Sequence, residues 1–276
     1  MEENWNSWIY KVCYKVIQER RVVTFNRKSV KNMRNTKYPN IVEFCVYGDY
    51  GMFADPLTRV GGEKCTYQVP TYEALKGILS SVYWKPTFIW VIDKVRIMNQ
   101  IQTEVKGIRT IKYTGGKDLS YYTYLKNCRY QVQAHFEWNE NRPELIQDRN
   151  ENKHHEIAKK MIKKGGRRDI FLGTRECQGY VEPCAFGEEA GFYDNLEELS
   201  FGLMYHGITY ADEAYSDETK NKWTLRCWYP VMKNGVISFI PPEQCTLTKE
   251  LGEMEIKKFG KENNNFVGLK EFDEVR

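Results

Sequence analysis

The sequence predicts an α+β fold: a ferredoxin-like domain of order β-α-β-β-α-β, followed by a small antiparallel β subdomain. Three observations predict it. Tyr130, Val132, Ala134, Phe136 and Trp138 alternate with Arg129, Gln131, Gln133, His135 and Glu137, the period of a strand with one buried face. Leu75, Ile78, Leu79 and Val82, and later Ile157, Ala158, Met161 and Ile162, recur at helical spacing. Short β-like runs bounded by glycine and proline precede, separate and follow these segments.

The elements follow in order. Residues 1–37 form a basic N-terminal extension, with Trp5, Trp8, Ile9, Val12, Cys13, Val16 and Ile17 at helical spacing. A basic amphipathic stripe can lie on a membrane or dock on a partner, but it reads more strongly as packing on the body or as an extension foreign to the native protein. Met33, just before the first strand, is a candidate start. Residues 38–200 hold the main domain. Its first strand runs from Ile41 to Tyr47, with Val42, Phe44 and Val46 on one face. A glycine-rich loop leads to Thr71, a plausible N-cap. The first helix stops by Trp84, because Pro86 disfavours helical geometry at Lys85. Phe88 to Ile92 reads as a buried strand and Gly115-Gly116 as a turn. The second helix begins near Asn152 and Gly165 stops it. A strand from Gln178 to Phe186 completes the series. Residues 201–276 carry the antiparallel subdomain, on runs at 201–210, 223–231 and 235–240.

Charge is local rather than global. The net charge of the 276 residues is +4, yet nine of the Lys and Arg residues fall before residue 38, against three Glu. A basic face suits a polyanion. Aromatic residues make up 14%, including 19 Tyr, and serve either a core or base stacking. The eight cysteines are dispersed without a CxxC pair and read as reduced thiols rather than a zinc site. No apolar run is long enough to span a bilayer or form a signal segment, so a cytoplasmic protein without a membrane partner is expected.

The chemistry concentrates between residues 148 and 185. Lys153, His154 and His155 open the second helix, where free N–H groups and the helix dipole favour anions. His154 falls on the core-facing stripe. It is either a packed, hydrogen-bonded histidine or, with Lys153, a group leaning back toward a phosphate beyond the helix start. His155 falls off the stripe and reads as solvated. Tyr83 ends the first helix as a capping aromatic or as a phenol donating to a ribose or phosphate oxygen. Lys163, Lys164, Arg167, Arg168 and Arg175 surround two glycines and are either a solvated face or phosphate contacts.

At these residues the chain resembles the CRISPR-associated Cas-five family of subtype I-C (Dvulg), in the ferredoxin-fold superfamily of repeat-associated RNA-binding proteins. The matching segments are GDYGMFADPLTRVGGEKCTYQVPTYEALKGILSSVYWKPT (Gly48 to Thr87), YQVQAHFEWNENRPELIQDRNENKHHE (Tyr130 to Glu156) and GGRRDIFLGTRECQGYVEPCAFG (Gly165 to Gly187). The resemblance runs from about Val42 to Phe239. It implies an endoribonuclease that cuts precursor CRISPR RNA within the repeat, then keeps the 5′ handle as a subunit of a surveillance complex. The implied partners are CRISPR repeat RNA and the other complex subunits. The implied catalytic residues are Tyr83, Lys153 and His154, with His155 as a rival imidazole.

The implied reaction needs no cofactor. The ribose 2′-OH attacks the adjacent phosphate, leaving a 2′,3′-cyclic phosphate and a 5′-OH. His154 would act as general base or acid, Lys153 would stabilise charge, and Tyr83 would orient phosphate or ribose. No carboxylate cluster suggests a metal. Two other functions fit the sequence: a non-catalytic cap on the handle, and a metal-dependent DNA-binding or DNA-cutting protein.

Overall fold

The computed structural model describes residues 40–256, apart from 57, 59–62 and 113. The Trp5–Ile17 stripe and Met33 lie outside the described residues. The main sheet contains β1 (Val42–Gly51), β2 (Lys64–Cys65), β3 (Phe88–Ile97), β4 (Gln102–Ile111), β5 (Lys117–Trp138), β6 (Ile170–Phe171), β7 (Gln178–Pro183), β8 (Leu199–Ser200), β11 (Val231–Lys233) and β12 (Val236–Ser238). Two helices, α1 (Tyr72–Val82) and α2 (Glu151–Lys163), fall between strands. A second antiparallel sheet is built from β9 (Met204–Thr209), β10 (Lys222–Trp228) and β13 (Leu247–Glu253).

The centre of the main sheet has the spatial order β7-β1-β5-β3, with all three pairings antiparallel. Alternation explains which face is buried. Val42, Phe44 and Val46 of β1 and Val132, Ala134 and Phe136 of β5 point to one side, and all six are at most 2% exposed. Leu75, Ile78, Leu79 and Val82 of α1, and Ala158 and Ile162 of α2, join them in one cluster. Both helices therefore cover the same face. Each such Leu, Ile or Val contributes about 1.5–3 kcal/mol by leaving water.

Local signals set the helix ends. The Thr71 hydroxyl accepts the Ala74 amide at 3.2 Å, and the Asn150 side chain accepts the Lys153 amide at 3.0 Å. Gly165 and Gly166 have φ of +79° and +106°, the left-handed geometry that ends α2.

Three features differ from the sequence reading. The buried strand from Phe88 continues to Ile97, because Val95 and Ile97 are as buried as Trp90. The strand holding Tyr130 to Trp138 begins at Lys117 and pairs over its first half with β4, an edge strand the sequence reading lacked. β4 buries no residue, so its apolar pattern is weak. Within β5, Asn127 adopts φ +51° and its carbonyl accepts the Asn99 side chain at 2.9 Å, while the register with β1 is the same on either side, Cys128 facing Gly48 and Lys126 facing Tyr50.

The runs after residue 200 divide between two sheets. β11 and β12 form a hairpin that adds to the edge of β3, with β8 beyond. β9 and β10 instead dock on α1. There His206 stacks on Tyr72 with centroids 4.3 Å apart, Lys76 pairs with Glu213, and buried Arg226 lies 3.8 Å from Glu73. No helix among the described residues is long and apolar enough to cross a membrane.

Candidate active site

Two helices and two strands converge at one end of the sheet. Tyr83 follows the last turn of α1 in extended geometry, with φ −157° and ψ 127°. Its amide bonds Leu79, and its carbonyl accepts the indole N–H of Trp90 at 2.7 Å. His154 lies in the first turn of α2. Phe88 of β3 and Phe136 and Trp138 of β5 surround its ring, with centroids 5.3, 6.3 and 5.9 Å away.

The imidazole is fully buried, at 0% exposure, and both nitrogens are engaged. Nε2 is 2.7 Å from the carbonyl oxygen of Asp148, and Nδ1 is 2.8 Å from the Tyr83 hydroxyl. A carbonyl only accepts, so Nε2 carries the proton. In the neutral ring Nδ1 then accepts, and Tyr83 donates to it. The stripe position of His154 is thus a packed one, and the imidazole does not face a phosphate directly.

Asp148 ends a short 3-10 helix, Pro143–Asp148, that carries the chain from β5 to α2. Its Oδ1 is 2.6 Å from Lys153 Nζ, and its Oδ2 accepts the Thr87 hydroxyl at 2.9 Å and stands 3.4 Å from His154 Nε2. Exposure falls along this chain, from 50% at the Lys153 side chain through 31% at Asp148 to none at His154. The bond from Lys153 holds the Asp148 carboxyl below the usual carboxylate range, helped by Thr87 and the imidazole against the opposing effect of burial. Burial pushes the Tyr83 phenol up, the Asp148 charge adds to this, and Arg167 opposes it. Asp148 and Thr87 were absent from the sequence reading. The available signal was weak: Asp148 opens the DRNENKHHE run, but an acid before a helix usually serves the helix end.

Of the predicted residues, the structure brings together Tyr83, Lys153 and His154. Arg167 stands close enough for its charge to act on Tyr83. Lys163 and Lys164 are exposed at the opposite end of α2, nine and ten residues from His154, or about 14 Å along the axis. Arg175 lies exposed in the turn between β6 and β7. Arg168 is exposed beside Arg167, and no ion pair joins Lys163, Lys164, Arg167, Arg168 or Arg175 to an acid among the described residues. His155 is not free in solvent. It is half-buried, and its Nε2 bonds the Ile41 carbonyl at 2.9 Å, pinning the entry to β1.

A family model described as CRISPR-associated protein (Cas_Cas5) matches residues 41–240. The chain belongs to the CRISPR-associated Cas5 family. Two relatives in the family carry the name CRISPR pre-crRNA endoribonuclease Cas5d. The protein from Mannheimia succiniciproducens is 40% identical over 65 residues, covering 24% of this chain and 28% of the relative. The protein from Thermus thermophilus is 26% identical over 172 residues, covering 58% of this chain and 72% of the relative. A solved structure described as a CRISPR-associated protein superposes with a TM-score of 0.64 at 34% identity, covering 76% of this chain and 97% of the other. The span matched by the Cas5 model starts at the strand that His155 anchors and contains Tyr83, Asp148, Lys153 and His154.

Proposed function

We propose that this chain is a metal-independent endoribonuclease that cuts precursor CRISPR RNA within the repeat, with the ribose 2′-OH as nucleophile. It then stays on the 5′ handle as a subunit of a type I-C surveillance complex, in contact with repeat RNA and the other subunits. The observation that carries the reading is the Tyr83–His154–Asp148 hydrogen-bonded chain beside exposed Lys153. The antiparallel order β7-β1-β5-β3 with both helices on one face supports a ferredoxin-like core beneath that site.

The burial of His154 supports a relay through Tyr83. Tyr83 directs its proton at Nδ1, so its oxygen keeps lone pairs for an incoming 2′-OH. As the 2′-oxygen bonds to phosphorus, its proton passes to the Tyr83 oxygen and the phenolic proton passes to Nδ1. The bond to the 5′-oxygen breaks, and that oxygen takes a proton from solvent. The products are a 2′,3′-cyclic phosphate and a 5′-OH. Lys153 and Arg167 offset charge on the phosphorane. The indole bond to the Tyr83 carbonyl fixes the backbone that carries the phenol.

Purified protein incubated with labelled repeat RNA in EDTA tests the reading. Cleavage of the all-ribose RNA, and none of an RNA with a 2′-deoxy nucleotide before the cut, is expected. Normal cutting of the deoxy substrate sinks the internal-nucleophile mechanism. Loss of cutting in EDTA alone points to a metal-dependent nuclease.

A further inference from the structure

We propose that Asp148 is a positioning residue of this site: it holds Lys153 while the site is empty, and strengthens His154 as a base once an RNA phosphate draws Lys153 away. The inference rests on the reading that this site cleaves RNA.

One residue touches both functional groups by different atoms. The backbone carbonyl of Asp148 takes the Nε2 proton and so leaves the Nδ1 lone pair toward Tyr83. The carboxylate binds the Lys153 ammonium through Oδ1 and approaches the imidazole through Oδ2. Tautomer and local charge are thus set from the same position, six residues before the histidine.

The carboxylate is held in place apart from Lys153. Thr87 is 2% exposed, and its carbonyl accepts the Asn139 amide at 3.0 Å while its hydroxyl donates to Oδ2. Asn139 in turn accepts the Arg149 guanidinium through its carbonyl at 2.9 Å. Departure of the exposed, flexible lysine therefore leaves the carboxylate beside Nε2. The other groups around the imidazole are Tyr83 after α1 and the apolar rings of Phe88, Phe136 and Trp138 on β3 and β5. Beyond Tyr83 stands Arg167.

The physical consequence follows from sign. When Tyr83 passes its proton to Nδ1, the ring becomes a cation inside an apolar cage. A carboxylate 3.4 Å from Nε2 stabilises that cation, and an ammonium bound to the same carboxylate works against it. An RNA phosphate competes for Lys153 because phosphate and carboxylate are anions seeking one cation. As Lys153 turns to the phosphate, the field at the imidazole becomes more negative. Binding of the scissile phosphate and activation of the base become one event. The rival role for Asp148 is structural, as an acid near the start of α2 where the dipole favours negative charge.

The test compares parent, Asp148→Asn and Thr87→Val proteins, each as the full chain, on a labelled CRISPR repeat hairpin RNA. Single-turnover rates are measured across pH, and RNA affinity in parallel. Asp148→Asn keeps the backbone carbonyl and the side-chain size. It is expected to bind the RNA at least as tightly as the parent, since Lys153 loses its internal counter-ion. It is expected to cut about tenfold to a hundredfold more slowly, the range for removing a group that orients a functional one. The acid limb of its rate profile is expected to move to lower pH, because the carboxylate that favours the charged imidazole is gone. Thr87→Val should shift rate and limb in the same sense by less, and it decides the matter if Asp148→Asn does not fold. Parental rates and limb in the variants overturn the inference and leave the cleavage reading intact. So does a joint loss of binding and cutting with the limb unmoved, which is the structural role. Failure of the parent itself to cut overturns the cleavage reading and the inference with it.

Discussion

The amide of Arg168 donates to the carbonyl of Ser81 across 3.1 Å, tying the glycine turn after α2 to the last turn of α1. The bond fixes backbone to backbone, so both guanidiniums stay free while the turn is held two residues from Tyr83.

Replacing Arg167 and Arg168 together by Ala should therefore spare the fold and weaken RNA binding. Each phosphate left without its guanidinium should reduce the magnitude of the log–log salt slope by roughly 0.7 to 0.9. An unchanged slope in a filter-binding salt titration places both side chains away from the RNA.

Tyr83→Phe removes one hydroxyl and keeps the ring against Phe88. Single-turnover cleavage should fall by about 10² to 10⁴, the range for a positioned proton-transfer group. RNA affinity should hardly change. Stability should drop by only about 1–3 kcal/mol, because Nδ1 of buried His154 loses its donor. Cleavage at the parental rate shows that the phenol does not relay the proton.

His154→Ala should lower both activity and stability. Besides slowing cleavage by about 10² or more, it opens a cavity among four aromatic rings and strands the Tyr83 hydroxyl. The cost in a urea melt should be about 2–5 kcal/mol. His155→Ala should cut nearly as the parent does, losing only its bond to Ile41. A dead His155→Ala beside an active His154→Ala reverses the assignment.

Lys153→Ala should impair cleavage strongly and binding more modestly. A cation attracts the ground-state phosphate, and it attracts the phosphorane more. Equal losses in both, read from rates at saturating and limiting protein, confine Lys153 to binding.

His135 gives a pH signature on the other face of β5 from Phe136 and the His154 ring. Burial opposes its protonation, but bonds to Asp93 on β3 and to Glu137 on its own strand outweigh this and raise it to about 9 from 6.5. Its folded value lies above its unfolded one. The stabilisation is complete below about pH 6.5 and is lost as pH rises through 9. The parent minus His135→Asn difference in unfolding free energy should shrink between those limits, by on the order of 2 kcal/mol after allowance for the side chain's partial exposure. A difference that is flat with pH removes the charge from the pair.

Much of the architecture was legible because it rests on periodicity and caps. Both helices, the Thr71 cap and the Gly165 stop follow from short-range chemistry. So does the buried face of Tyr130 to Trp138. The second helix start reads near Asn152 in the sequence, whereas the cap is Asn150. β4 was not legible, since an edge strand with both faces partly wet has no strict alternation. Nor was the sorting of β11 and β12 onto the first sheet, which depends on long-range pairing to β3. At the site, sequence alone placed Tyr83, Lys153 and His154 among the candidates. It could not tell that the imidazole turns inward, because helical spacing gives a face and not a rotamer. Asp148 was invisible for a related reason: its part depends on Thr87, sixty-one positions away.

The left-handed torsion at Asn127 has a mechanical meaning. On one side of it, β5 is clamped between β1 and β3 and ends against the rings around His154. On the other, Lys126 and Leu125 still face Tyr50 and Gly51 of β1, β2 pairs at Tyr122 and Thr123, and the strand then runs out alongside β4. That outer half is therefore tied to the body at several points: the β1 and β2 pairings, the Tyr50 hydroxyl on Glu104, and the Asn99 amide on the Asn127 carbonyl. Asparagine tolerates that torsion where a branched residue would not, so a Val at this position would strain the backbone between two stretches of β5 that are both held by neighbouring strands.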